Sequence, residues 1–228
     1  MINDLSICVN VKDRSRGFCS GRSLTLFPNC VGSLVSSIRS AGVVFEHIEL
    51  SVVDWQSTDW PILEWIEDAA AGAMDVVVTT LNGVFSRGEG RNKAAEAARY
   101  DNLFFLDADM LVPARVLREG MECLAKHWAY FPMPWEYLNQ GHTRSQHMPG
   151  GTGNSFVIRD HWEAAGKFPQ RTTWGHEDLQ FLAAIERVTS VCRPQVPELL
   201  HQWHPNSWRV RHGTDNDSTV STIDDLAP

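Results

Sequence analysis

Long apolar runs are missing from this chain. Nowhere do about 18 apolar residues follow one another, which excludes a helical membrane span within it. Paired cysteine spacing is missing too. Cys8, Cys19, Cys30, Cys123 and Cys192 are odd in number and scattered, with no CxxC pair. That pattern speaks against a disulfide framework or a structural zinc site and fits a reducing cytoplasm. Positive charge is scarce: 20 Lys and Arg stand against 28 Asp and Glu, a formal net charge of −8. Non-specific affinity for nucleic-acid backbones needs clustered Lys and Arg, so none of any strength is expected. A local basic pocket remains compatible with that total. The opening MINDLSICVNVKDRSR has neither a basic flank nor a long apolar core and does not read as a signal peptide. A cytoplasmic location is the expectation.

What is there is a chain of 228 residues, 43% of them apolar, enough for one large domain with a real core. LSICVNV (5–11), HIELSVVD (47–54), DVVVTTL (75–81) and NLFFLDAD (102–109) read as buried strands. Helical periodicity lies between them: over about 29–41, over a segment that Asp59 caps and Gly72 closes with Pro61 in its first turn, and in the alanine-rich NKAAEAARY after the loop GVFSRGEGRN. Strands alternating with helices predict a mainly parallel sheet covered on both faces. Further along, 113–128 predicts a helix, 134–153 a long loop, NSFVIR a strand, RDHWEAAG a short helix, 176–188 a longer helix and PELLHQWH a strand. From 206 to 228 the chain is polar and reads as a tail. Most of the nine tryptophans lie between Trp128 and Trp208, and packing explains the majority, although a carbohydrate platform also uses such rings.

Polar residues collect where the strands end. Lys12, Arg14, Asp54, Asp107 and Asp109 all fall at carboxyl ends of predicted strands, the edge where open α/β sheets bind ligands. In DAD, residues i and i+2 of a strand point to one side, so the carboxylates of Asp107 and Asp109 converge and call for a hard cation. The structural alternative is a strand end with solvated acids. In WGHED, Glu177 and Asp178 open an amphipathic helix, where the helix dipole alone would favour them; equally, one of them can face a cleft as a general base. In LLHQWHP, His201 and His204 are three apart, opposite faces of a strand, so at most one is expected to meet a metal. Carboxylate, imidazole and phosphate together suit manganese, with magnesium as the alternative. SRGEGRN has the glycines of a phosphate loop without the spacing of GxxxxGK[ST] or GxGxxG, and Arg87, Arg91 and Asn92 near a helix start can hold an anion.

The order of these pieces carries more than any one of them. VVDWQSTDW, GEGRNKAAEAA, LFFLDADM, GGTGNSFVIR, WGHED and HQWHP follow one another over about 5–205 in a way that resembles the GT-A fold glycosyltransferases. The likeness is to the family 2 type and the galactosyltransferase-like group with a W-G-x-E-D motif. It implies a Rossmann-like, mixed but mainly parallel α/β sheet with helices on both faces in a single domain over 1–205. The nucleotide-binding half would end near 112 and the acceptor half would span 113–205. It implies a nucleotide-sugar donor, UDP-linked by preference, across the strand ends. Lys12 and Arg14 would flank the nucleotide and Asp54 would approach the base. Arg91 and Asn92 match the family's RN, Asp107 would lie near ribose and metal, and Asp109 would ligate the metal together with His201 or His204, His201 being favoured. Glu177 would hold the acceptor and Asp178 would be the base. Trp174 and the segment Gly150 to Asn154, Gly151 included, would border donor and acceptor. The first strand departs from the Pro-Thr-Tyr-Asn ending usual in family 2, which favours the galactosyltransferase-like branch.

The activity so implied is a metal-dependent, inverting hexosyl transfer to a hydroxyl of a saccharide, polysaccharide, lipid-linked glycan or modified nucleobase. Other readings stand beside it. A sugar nucleotidyltransferase shares the sheet and the metal carboxylates, but carries a glycine-rich basic signature after the first strand that VKDRSRGFCSGR imitates only loosely. A non-catalytic carbohydrate-binding protein would keep the tryptophans and has no need of Asp178.

Overall fold

A computed structural model describes residues 3–171 and 175–205; the expectations for Trp174 and for a tail over 206–228 lie outside them. The chain runs β1 (Leu5–Val11), β2 (Gly17–Cys19), β3 (Arg22–Leu24), α1 (Leu26–Ser40), β4 (Ile48–Asp54), a 3-10 turn (Ile62–Glu64), α2 (Ile66–Ala70), β5 (Asp75–Thr80) and α3 (Arg87–Ala97). It continues through β6 (Asn102–Asp107), β7 (Met110–Leu111), α4 (Ala114–Leu124), β8 (Ala129–Tyr130), β9 (Met133–Tyr137), β10 (Ser145–His147) and β11 (Ser155–Ile158). Then come α5 (Arg159–Ala164), α6 (Glu177–Ile185), β12 (Val191–Cys192) and β13 (Gln195–His201).

Seven strands form one sheet in the order β12-β8-β11-β6-β1-β4-β5. β1 is parallel to β4 and β6, β4 to β5 and β12 to β8, while β11 runs antiparallel to β6 and β8. The sheet is therefore mixed and mainly parallel, as expected. Alternation along β1 and β6 divides the core in two. Leu5, Ile7, Val9, Val11, Phe104 and Leu106 pack with α1, α2 and α4 on one face. Cys8, Leu103 and Phe105 pack with α3, α5 and α6 on the other. Burial on both faces is why these strands read as continuous apolar runs. Among the described residues, no helix is long and apolar enough to cross a membrane.

Register sets the working edge. Val11 pairs with Asp54, Asn10 with Asp107 and Asp54 with Thr80, so the strands finish nearly flush. A second sheet, β10-β9-β13-β7, is joined to that edge through β7, which begins just after β6 ends.

Three local expectations are corrected. The helix predicted between Asp59 and Gly72 is a 3-10 turn followed by the short α2. Trp65 leaves helical geometry (φ −138, ψ −20) between them, with its buried ring edge-on to Phe27 at 5.4 Å. Asp59 accepts instead from the amides of Arg16 (2.7 Å) and Trp60 (2.9 Å). The loop predicted before NKAAEAARY is already helical from Arg87. Ser86 caps it, its hydroxyl accepting from Glu89 N–H at 3.3 Å in the S-x-x-E pattern. Gly88 and Gly90 are close-approach positions rather than a phosphate loop: a methyl there would strike Pro169 or Asn10. The long loop at 134–153 is partly a hairpin, with Ser145–His147 pairing antiparallel to Trp135–Tyr137.

Gly120 on α4 offers a test of the packing against β11. A Cβ there would lie 2.7 Å from the Phe156 ring, which is itself stacked on Phe104 at 3.9 Å. Helix propensity alone would favour Gly120→Ala by about 1 kcal/mol, but overpacking costs about 1–3 kcal/mol. The variant is expected to unfold at lower urea than the parent; an unchanged or higher midpoint would show that α4 can retreat from the sheet.

Candidate active site

The two aspartates of DAD part company, because β6 ends at Asp107 and the chain turns before Asp109. Asp107 N–H donates to Asn154 Oδ1 (3.0 Å) and its Oδ1 accepts from Arg91 Nη2 (2.6 Å). Arg91 is 2% exposed, and its Nη1 lies 3.6 Å from Glu177 Oε1, also buried. Burial works against the Arg91 charge, but Asp107, Glu177 and Asp178 outweigh it and hold the guanidinium above its ordinary pKa. The convergence expected of the two carboxylates on one ion is thus corrected: Asp107 faces Arg91 and is not among the residues clustered around Asp109.

Asp109 meets histidines instead. Its carbonyl accepts from Gln202 N–H (2.9 Å) and its neighbour Met110 pairs with His201, which pins the end of β13 beside it. Asp109 Oδ2 lies 3.5 Å from His201 Nε2 and 3.4 Å from His204 Nε2. One donor atom from each of the three residues falls within 4.8 Å of the others. Both histidines arrive, contrary to the expectation that at most one would. The strand stops at His201, and buried Gln202 turns inward to bond Leu26 O and Asn29 Nδ2, both at 2.9 Å, so strand alternation no longer applies at His204. Burial disfavours charge on Asp109, yet the two imidazoles hold its carboxyl well below the usual carboxylate range. Burial also lowers His204 below the ordinary imidazole value, against the pull of Asp109. His204 Nδ1 lies 3.1 Å from Pro205 O, and the ring thereby presents its Nε2 to the Asp109 carboxylate. One carboxylate with two imidazoles is a donor set that suits a transition ion such as manganese better than magnesium.

A cleft joins this corner to the start of α6. Its lining includes Asn10, Lys12, Arg14, Phe85, Arg87, Asp107, Asp109, Gly150 through Asn154, Asp178, His201 and His204. Asp178 Oδ2 accepts from Thr152 Oγ1 at 2.7 Å, and Oδ1 from Leu179 N–H at 2.9 Å. Arg14 approaches Asp109 at 4.0 Å; burial lowers its pKa, with Asp109 opposing. Lys12 donates to Trp55 O at 3.2 Å.

Three residues singled out from sequence do not line the cleft. Asp54 accepts from Ser57 N–H (3.0 Å) and shapes the turn after β4. Asn92 is buried, bonding both the carbonyl and the amide of Phe168 at 2.9 Å. Glu177 looks to Arg91 and, at 3.9 Å, to Arg87. Phe85, Thr152 and Asn154 were not singled out individually. Only the glycine-rich run around the last two drew attention to them.

Comparison with known proteins follows this geometry. A family model described as "Glycosyl transferase family 2" matches residues 26–185, on the family 2 side of the resemblance. Three solved structures share the fold. S. aureus TarS 1–349 superposes with a TM-score of 0.65 at 13% identity, over 87% of this chain and 60% of that one. The same fragment in complex with UDP-GlcNAc gives 0.65 at 12%, over 89% and 59%. S. aureus TarS gives 0.67 at 13%, over 90% and 38%. The chain thus spans about three fifths of the TarS 1–349 fragment. No curated protein matches the chain.

Removing Arg91 should unbalance two acids at once. Arg91→Ala strips the buried partner from Glu177, leaving it Arg87 at 3.9 Å, and the hydrogen-bonded partner from Asp107; breaking a buried pair in this way costs about 3–5 kcal/mol. Chemical denaturation of the variant is expected to show a loss of that order. A loss of about 0–1 kcal/mol, the range of an exposed pair, would refute the buried linkage.

Proposed function

The chain belongs to glycosyl transferase family 2 and is thereby a glycosyl-transferring enzyme, and on that premise we propose a metal-dependent, inverting transfer from a nucleotide-sugar donor, a UDP-sugar by preference, to an acceptor hydroxyl. The observation that carries this reading is the meeting of Asp109, His201 and His204 in the same cleft as Asp178. The UDP-GlcNAc bound by TarS in a related fold supports the donor class. A nucleotide-binding half ending near residue 112 and an acceptor half over 113–205 belong to the same proposal.

In this reading Asp109, His201 and His204 hold the divalent ion, manganese by preference. When bound, it supplies Lewis-acid stabilisation of the leaving diphosphate. Lys12, Arg14 and Arg87 bring positive charge to the cleft of an otherwise acidic protein, which suits a diphosphate. Asp178 accepts the proton of the acceptor hydroxyl as its oxygen attacks the anomeric carbon and the diphosphate departs. One displacement with a carboxylate base inverts that centre. Gly151 and Gly153 leave backbone, not side chain, along the wall between the two functions. Glu177, facing Arg91, acts by fixing the arginine that orients Asp107 rather than by touching the acceptor.

The acceptor is a hydroxyl of a saccharide, polysaccharide, lipid-linked glycan or modified nucleobase, and a donor–acceptor screen would identify it. The reading is tested by nucleotide release from a panel of UDP-sugars with manganese. Asp109→Ala is expected to abolish both manganese binding by calorimetry and turnover. Asp178→Asn should keep donor and ion binding while losing about 10²–10⁴ in kcat. Manganese binding that survives Asp109→Ala would remove the metal centre, and wild-type turnover by Asp178→Asn would remove the base.

A further inference from the structure

We infer that Thr152 is a positioning residue for the base: its hydroxyl fixes the Asp178 carboxylate relative to Asp107, which also lines the cleft. The inference rests on the reading of Asp178 given above and names a residue that reading does not require.

Thr152 is 1% exposed, yet its Oγ1 donates to Asp178 Oδ2 at 2.7 Å, on the wall of the cleft. A carboxylate in the first turn of a helix normally turns freely in solvent. Asp178 is instead tied at both oxygens, Oδ2 to Thr152 and Oδ1 to Leu179 N–H. Those two bonds leave lone pairs for an incoming hydroxyl proton.

The strap that carries Thr152 is itself fixed. Asn154 Oδ1 accepts from Asp107 N–H, a methyl on Gly153 would strike Asp107 and crowd Arg91 Nη2, and a methyl on Gly151 would lie 2.7 Å from Pro134. From Gly151 to Asn154, each residue is therefore either in close contact or hydrogen-bonded. The distance from Asp107 to the Thr152 hydroxyl, and so to Asp178, is set by the three residues Thr152 to Asn154. Arg91 reaches the same pair by charge, facing Asp107, Glu177 and Asp178 at once; Arg87 lies 3.9 Å from Glu177. Charge draws Asp178 toward the guanidinium, and the Thr152 hydroxyl gives Oδ2 its direction as the Leu179 amide does Oδ1.

The hydroxyl also has a second acceptor, Gly150 O, at 3.4 Å. Once Asp178 has taken the acceptor proton, the Thr152 hydrogen can turn to that carbonyl and its oxygen can accept from the protonated acid. No proton is gained or lost by Thr152 in the cycle.

The test uses the full chain, manganese and a UDP-sugar that the parent turns over. Thr152→Val keeps the shape and removes the hydroxyl. It is expected to lower kcat by about 10- to 100-fold, the scale of a misaligned catalytic group, with donor KM unchanged, while Thr152→Ser restores kcat. Wild-type kcat in Thr152→Val, or failure of Thr152→Ser to rescue, would overturn the inference. Asp178→Asn run alongside separates the two claims: if it turns over normally, the base assignment fails, whereas a slow Asp178→Asn with a normal Thr152→Val sinks this inference alone. Crystal structures of the parent and of Thr152→Val give a readout free of turnover. Asp178 is expected to leave its position in the variant, and an undisturbed carboxylate would overturn the proposal.

Discussion

A guanidinium sealed from solvent is the constraint around which this site is organised. An uncompensated charge at Arg91 would cost several kcal/mol, so the fold must bring it acids. It brings one from the end of β6 and one from the start of α6, Asp107 and Glu177, 70 positions apart in the chain. Two motifs that look independent in sequence are thereby locked to one another. Helix α3 can lie close enough to deliver Arg91 only because Gly88 and Gly90 present no side chain to Pro169 and Asn10. The glycines that suggest a phosphate loop serve this approach instead.

The corner where the proposed ion would sit depends on a different element. Parallel strands alone would leave Asp109 on a turn with nothing opposite. The second sheet supplies the opposite side: pairing of β7 with β13 puts His201 across from Met110, and Gln202, bonded into α1, turns the chain so that His204 swings back. An imidazole pair three residues apart can converge in this way only where the strand has ended.

How much of this was legible in sequence divides along the same line. The strands of the main sheet were readable because apolar residues buried on both faces leave an uninterrupted run with a polar stop. The ligand edge followed from those stops. Asp54 also sits at such a stop and Asn92 near a helix start, but their bonds to Ser57 and Phe168 depend on where the chain brings other backbone. Composition and period carry no trace of that. The helix at Arg87 was hidden by its glycines although Ser86 and Glu89 announced its cap. The short α2 was overestimated because a buried Trp65 outweighs local helix propensity. Divergence of Asp107 from Asp109 was unreadable for a simpler reason: the rule that i and i+2 share a side holds inside a strand, and the strand ends between them.

Charge counting ties the proposed ion to the proposed donor. Around the cleft and its immediate wall, Lys12, Arg14, Arg87 and Arg91 face Asp107, Asp109, Glu177 and Asp178, so the protein's own formal charges cancel. A divalent ion alone would leave this half-buried space positive by two, and a nucleoside diphosphate alone would leave it negative by about as much. Only together do they restore the balance that the side chains already keep. Charges in a low-dielectric site interact far more strongly than in water, so each should favour the other's entry. The acidic total of the chain is no obstacle to an anionic donor, because Asp107 and Glu177 are already paired with arginine and Asp109 with histidine.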